Sequence, residues 1–173
     1  MRGHTHIAGG LALATLSLTM LEHQTNIGFT KENMIILSVY GSAAVLGSLL
    51  PDIDIKGSKI SNKNKIASFI IRTFFGHRGF THSMLCYALL SMGVFFLSGM
   101  IPGGYGGYIT KGFMIGYLSH LILDMLNPMG VPLLFPNKKM VSIAGIKTGG
   151  FLENFVFLGL CAGVLAAARG MFG

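Results

Sequence analysis

Ionisable side chains are scarce in this chain of 173 residues: only 11% are Asp, Glu, Lys or Arg. A typical soluble domain carries about 25%. With 51% hydrophobic residues and a mean hydropathy of +0.64, the shortfall argues against an ordinary water-exposed surface and for a membrane. Acidic residues are the rarest ionisable class, six against thirteen Lys and Arg, which leaves a net charge of +7. Cysteine is nearly absent. Cys86 and Cys161 both lie inside apolar runs and lack metal-ligand spacing. They exclude a disulfide framework and read as packing residues. No P-loop, Rossmann fingerprint or serine nucleophile elbow is present, so those routes to phosphate and acyl chemistry drop out. Without an internal repeat or low-complexity tract, residues 1–173 read as one domain.

What the chain does have is apolar runs, at about 7–21, 34–50, 83–101, 112–126 and 151–168. A straight crossing needs about 20 residues, with a range of about 17–25. The second, third and fifth runs reach that length; the first and fourth need polar ends to complete it. The expectation is an all-α integral membrane helical bundle with about five transmembrane helices, four being the main alternative. The first run resembles a signal peptide's apolar region, but Met20-Leu21-Glu22-His23 is a poor cleavage site, so a retained helix is expected. Residues 64–75, NKIASFIIRTFF, are apolar at 66, 69, 70, 71, 74 and 75. That pattern predicts a short amphipathic helix on the membrane surface. Gly112-x-x-x-Gly116 and Gly159-x-x-x-Gly163 predict close helix packing. The Gly-rich stretch 101–108 predicts a tight turn.

Orientation follows from the distribution of Lys and Arg. With five crossings, Arg2, the loop 51–82 and the loop 127–150 share one side and hold ten of the thirteen. Lys31, Lys111 and Arg169 are on the other. The N-terminus is therefore expected in the cytoplasm and the C-terminus outside. This map gathers the rare polar residues. His4, His6, Asp52, Asp54, His77, His82, His120 and Asp124 all fall at the cytoplasmic face, and only His23 falls opposite. Ionisable groups at membrane depth are functional candidates by default.

Their chemistry is that of metal ligands. His120 and Asp124 are four residues apart, so a helix puts them on one face. They can share an ion or simply bond to each other. Pro51 disfavours helical geometry at Leu50, which sets Asp52 and Asp54 on an irregular segment. There they can bridge cations, or sit in a solvated turn. In GHRGFTHS, residues 76–83, His77 and His82 suit zinc or another transition metal. Arg78 can grip a phosphate in two places, or serve only as a positive-inside charge. Thr81 or Ser83 can cap the next helix. His6 borders an apolar run directly and is favoured over His4 as a ligand. Three Asp and four His exceed one tetrahedral zinc and suit two or three metals, which would activate water and clamp phosphoryl oxygens. The basic loop 51–82 would attract anionic lipid head groups. Nucleic-acid binding is not expected, because basic and aromatic residues are not interleaved.

These pieces together resemble the small bacterial membrane proteins of the YdjM type, predicted membrane-bound metal-dependent hydrolases. The resemblance is carried by Thr5-His6-x-x-x-Gly10, Leu50-Pro-Asp-Ile-Asp54, His77-Arg-Gly-x-Thr-His82-Ser and Gly116-x-x-x-His120-x-x-x-Asp124, with Asn-Pro-x-Gly and Leu-Leu-Phe-Pro136 following. It spans most of the chain. That family is similar, distantly, to zinc-dependent phospholipase C and the P1-type nucleases. The resemblance implies an inner-membrane hydrolase of phosphoesters or phospholipids. It places His6, Asp52, Asp54, His77, His82, His120 and Asp124 around two or three zinc ions, with manganese a possible substitute. Asp52, Asp54 and Arg78 are the expected catalytic residues, and membrane lipid is the expected partner. His4 lies outside the pattern. One alternative is a divalent-metal transporter, whose sites usually lie near the bilayer midplane rather than at one face. The other is a non-catalytic metal-stabilised membrane scaffold.

Overall fold

The computed structural model describes residues 1–21, 30–55, 58–66, 69 and 79–172. All regular elements among them are helical. We label them α1 (Gly3–Leu21), α2 (Lys31–Leu49), α3 (Lys59–Lys63), α4 (Met84–Gly99), α5 (Gly106–Met125) and α6 (Phe151–Phe172). Two 3₁₀ turns, Leu50–Asp54 and Phe80–His82, join them near the site. His23, His77 and Arg78 lie outside the described residues, as does most of the expected interfacial helix over 64–75. Within that stretch, Ile66 and Phe69 are exposed.

Helix starts follow local chemistry. The Thr30 hydroxyl accepts from the Asn33 N–H at 3.2 Å and caps α2. Ser83 does the same for α4, accepting from Cys86 N–H at 3.2 Å. Each satisfies a backbone donor that the first helical turn leaves orphaned. The end of α2 differs from expectation. Leu50 keeps right-handed helical geometry, and its N–H still bonds the Leu46 carbonyl. Pro51 has no N–H to continue the ladder, so the chain tightens into a 3₁₀ turn instead of becoming irregular.

The bundle centres on α5, which packs against α2 most extensively and also against α1 and α4. Glycine makes the α2–α5 approach possible. A Cβ at Gly47 would overlap the Phe113 carbonyl, and one at Gly112 or Gly116 would overlap the carbonyls of Tyr40 and Ala44. Gly112-x-x-x-Gly116 is thus the close-packing face it was expected to be. Gly159-x-x-x-Gly163 is not: a Cβ at either meets nothing within 4 Å. Helix α6 packs on α1, and its glycine pair faces away from that contact. The 101–108 turn is tight as expected, with Gly103 and Gly104 at φ of 93° and 76°.

The polarity of the molecule is inverted relative to a water-soluble domain. His6, Asp54, His82, His120, Asp124 and Glu153 are buried, while Phe95, Phe96, Leu97, Phe155 and Leu165 are exposed. Among the described residues, two helical runs are long and apolar enough to cross a membrane: Lys31–Asp54, with mean hydropathy 1.8, and Phe151–Arg169, with 1.9. Met84–Gly99 is apolar but shorter. Among the described residues five long helices are present, yet α1 and α5 do not qualify. They carry His4, His6, His120, Asp124 and many Gly, Ser and Thr residues, which lower their hydropathy.

Candidate metal centre

Four segments meet where α2 ends and α4 begins. Helix α1 brings His6. The turn after α2 brings Asp52 and Asp54. The turn before α4 brings Thr81 and His82. Helix α5 brings His120 and Asp124 on one face, Nε2 to Oδ2 3.7 Å. The three histidines are fully buried, and Asp52, the most accessible of the carboxylates here, is 6% exposed.

His82 Nε2 lies 3.3 Å from His120 Nε2, 3.5 Å from Asp124 Oδ2 and 3.9 Å from Asp52 Oδ1. His120 Nε2 is 3.6 Å from Asp52 Oδ1. With the 3.7 Å His120–Asp124 separation, these distances outline a four-donor cage. A tetrahedral zinc with ligands at about 2.0–2.1 Å requires donors roughly 3.3–3.4 Å apart. The cage is therefore slightly open but of the right size. His6, Asp52, His120 and Asp124 form an overlapping set, each offering a ligand atom within 4.8 Å of the others. Five separations within the His82-containing set are 3.3–3.9 Å, and we take that set as the primary cage. His6 stands beside it, its ring stacked on His120 with centroids 3.7 Å apart.

The hydrogen bonds around the cage decide which lone pairs face inward. His120 Nδ1 lies 2.7 Å from the Ser48 carbonyl, which can only accept, so Nδ1 carries a proton and, in the neutral ring, Nε2 offers its lone pair to the cage. Asp124 Oδ1 accepts from the buried amino group of Met1 at 2.5 Å and lies 3.3 Å from His6 Nε2, while Oδ2 faces the cage. Asp52 Oδ1 and both His6 ring nitrogens are buried without a hydrogen-bond partner. Buried polar atoms are almost always partnered, so such orphans need a reason. Bare imidazole nitrogen and carboxylate oxygens crowded into a dry space repel each other unless a proton or a metal cation sits among them. Two His and two Asp are a suitable donor set for zinc and accept other divalent ions.

Asp54 stands apart from the cage. Its Oδ2 accepts from the Thr81 hydroxyl at 3.0 Å and is 3.6 Å from His82 Nδ1, the side of the ring turned away from the cage. His4 is also apart, set edge-on against Phe157 on the outer side of α1. Among the described residues, the donors form one compact cage with His6 adjacent.

Glu153 was not singled out by sequence reasoning. It is fully buried and accepts from Arg2 N–H, Gly149 N–H and the Thr5 hydroxyl. The signal was present: a lone carboxylate in an apolar run, by the same logic that singled out Asp124. Glu153 holds the N-terminal segment that delivers His6.

Loop 127–150 closes the same end. Val131 and Val141 form an antiparallel bridge, Met84 N–H bonds Leu133 O at 2.9 Å, and Ile143 N–H bonds Met125 O at 2.8 Å. The loop is thus tied to the end of α5 and the start of α4.

The chain matches the YdjM inner membrane protein family over residues 1–172. It belongs to that family. It is 38% identical over 161 residues to YvsG of Bacillus subtilis (strain 168), covering 92% of this chain and 89% of that protein. It is 41% identical over 123 residues to the inner membrane protein YdjM of Escherichia coli (strain K12), covering 68% of this chain and 61% of that protein. The same figures hold for YdjM of Shigella flexneri. No solved structure matches the chain. Family membership makes this an inner membrane protein and agrees with its inverted polarity.

Proposed function

We propose that the chain is a multi-pass, membrane-bound, metal-dependent hydrolase of phosphoesters or phospholipids. One observation carries the reading: two histidine nitrogens and two carboxylate oxygens converge at 3.3–3.9 Å in a buried space. His82, His120, Asp52 and Asp124 would hold the ion, zinc or manganese, and His6 would join it or a second ion. A divalent ion there would supply an acidified water and charge stabilisation for phosphoryl oxygens. Asp52 is on the most accessible side of the cage, and its carboxylate is the one suited to take a proton from water. Arg78, four residues before His82, is proposed to hold the phosphoryl group.

Helix length supports five crossings. Helices α1 and α2 have 19 residues each, α5 has 20 and α6 has 22. At about 1.5 Å per residue these span roughly 28–33 Å, close to the hydrocarbon thickness. Helix α4, with 16 residues, is shorter and would need its flanking turns. The ten-to-three division of Lys and Arg favours a cytoplasmic N-terminus and site.

The deep burial of the donors favours a second reading, a non-catalytic scaffold held by a structural metal. Closed four-ligand sites are commonly structural, whereas catalytic ones keep an open position. The deciding experiment measures metal per chain in detergent-purified protein, beside Asp52→Ala and His120→Ala, then turnover of phosphoester and phospholipid substrates. Metal and turnover lost together in both variants support the hydrolase. Metal held with no turnover supports the scaffold. No metal, even after zinc or manganese is added, refutes both.

A further inference from the structure

His82 contributes a donor only if its Nε2 is bare, and nothing inside the cage enforces that. We propose that the Thr81 hydroxyl is a positioning residue for the centre, linking Asp54 to His82 and holding the ring in the tautomer whose Nε2 faces the cage. The inference rests on the metal-holding reading above.

The chain of donors is determinate. Thr81 Oγ1 is 3.0 Å from Asp54 Oδ2 and 3.1 Å from His82 Nδ1. A hydroxyl has one hydrogen, and a carboxylate can only accept. The Thr81 hydrogen therefore goes to Asp54, and its oxygen must accept from His82 Nδ1–H. With the proton on Nδ1, Nε2 carries the lone pair. Asp54 does not do this directly, because 3.6 Å is beyond a hydrogen bond. The hydroxyl is the bridge.

Without that bridge a competing tautomer becomes available. A proton on His82 Nε2 would point at His120 Nε2, 3.3 Å away, whose lone pair is free to accept because His120 Nδ1 is committed to Ser48. That arrangement satisfies both rings and removes the cage. Thr81 holds the equilibrium on the other side.

The backbone here does not depend on the Thr81 hydroxyl. The Thr81 carbonyl accepts from the Tyr117 hydroxyl of α5. Ser83 donates to Phe80 O at 2.6 Å and caps α4. Valine, of nearly the same shape, therefore removes the bridge while the turn stays pinned. A purely packing role for Thr81 would tolerate valine and suffer from serine, which lacks the methyl group. The positioning role requires the reverse.

The test uses full-length protein in detergent. Zinc affinity is measured by chelator competition for wild type, Thr81→Val and Thr81→Ser, and the His82 tautomer is read from ¹⁵N imidazole shifts in metal-free protein. Groups that hydrogen-bond the far nitrogen of metal-bound histidines are typically worth about 10–100-fold in affinity. The expected result is a loss of that size in Thr81→Val with His82 moving to the Nε2–H form, and near-wild-type behaviour in Thr81→Ser. Thr81→Val with unchanged affinity and unchanged ¹⁵N shifts overturns the inference while leaving the metal reading intact. If wild type binds no zinc or manganese, the metal reading fails by itself. The tautomer comparison in that same protein still decides the role of Thr81: conversion in Thr81→Val supports it, and no conversion overturns it.

Discussion

Replacing Gly116 by alanine should damage the candidate metal centre from a distance. Gly116 lies one turn before His120 on α5, and Ala44 lies one turn before Ser48 on α2. A Cβ at Gly116 would overlap the Ala44 carbonyl oxygen, with Ala44 carbonyl carbon at 2.7 Å and Cα at 2.8 Å. Ordinary contact begins at 3.4 Å. These are backbone atoms, so no side chain can swing aside. The carbonyl oxygen is the nearest of the three, so the helices must part by roughly 1.1 Å or more, as overpacked interfaces do. The His120 Nδ1 to Ser48 O bond, now 2.7 Å, would stretch to roughly 3.8 Å, beyond a hydrogen bond. Two effects follow. Stability falls by about 1–3 kcal/mol, the usual cost of overpacking. Metal affinity falls by about 10-fold or more, because the bond that fixes the His120 tautomer is lost. Thermal unfolding in detergent reads the first effect, and chelator competition reads the second. Gly93→Ala is the control, since a Cβ there meets nothing within 4 Å. If Gly116→Ala matches Gly93→Ala in both assays, the account of the α2–α5 contact as the frame of the site is wrong.

Glu153→Ala should leave the N–H groups of Arg2 and Gly149 and the Thr5 hydroxyl without their acceptor. Hydrogen bonds to a charged group are worth about 1.5–3 kcal/mol each, so a clear fall in melting temperature is expected; an unchanged melt would show that the N-terminal segment is not held this way. The proposed orientation predicts that cysteines at Lys139 and Lys111, in a background with Cys86 and Cys161 replaced, label from opposite sides of sealed vesicles. Labelling from one side would refute an odd number of crossings between Lys111 and Lys139, and so the crossing by α5.

Much of the candidate site is legible in the sequence. His6, Asp52, His120 and Asp124 stood out because charged and imidazole groups are expensive at membrane depth, so each one present demanded a reason. Counting Lys and Arg then put them at one end. What could not be read was the division of labour. Asp52 and Asp54 are two residues apart and chemically identical, yet one faces the cage and the other faces Thr81. Thr81 and Ser83 are equal candidates for the cap of α4 in the sequence, and Ser83 does the capping. Glu153 was passed over because it lay inside a run read as uniformly apolar.

Local chemistry in the sequence determined that the chain is helical, where α2 and α4 begin, and that Pro51 would end the α-helical ladder near the two aspartates. Those outcomes depend on a few neighbouring residues and need no partner. The tertiary structure alone decided which glycine pair packs and which is left open, since both have the same spacing. It also decided which nitrogen of His120 carries a proton and, on the inference above, which nitrogen of His82 does. Tautomers are set by what the other nitrogen touches, here a carbonyl 72 residues away and a hydroxyl next door, and no reading of sequence spacing contains that contact.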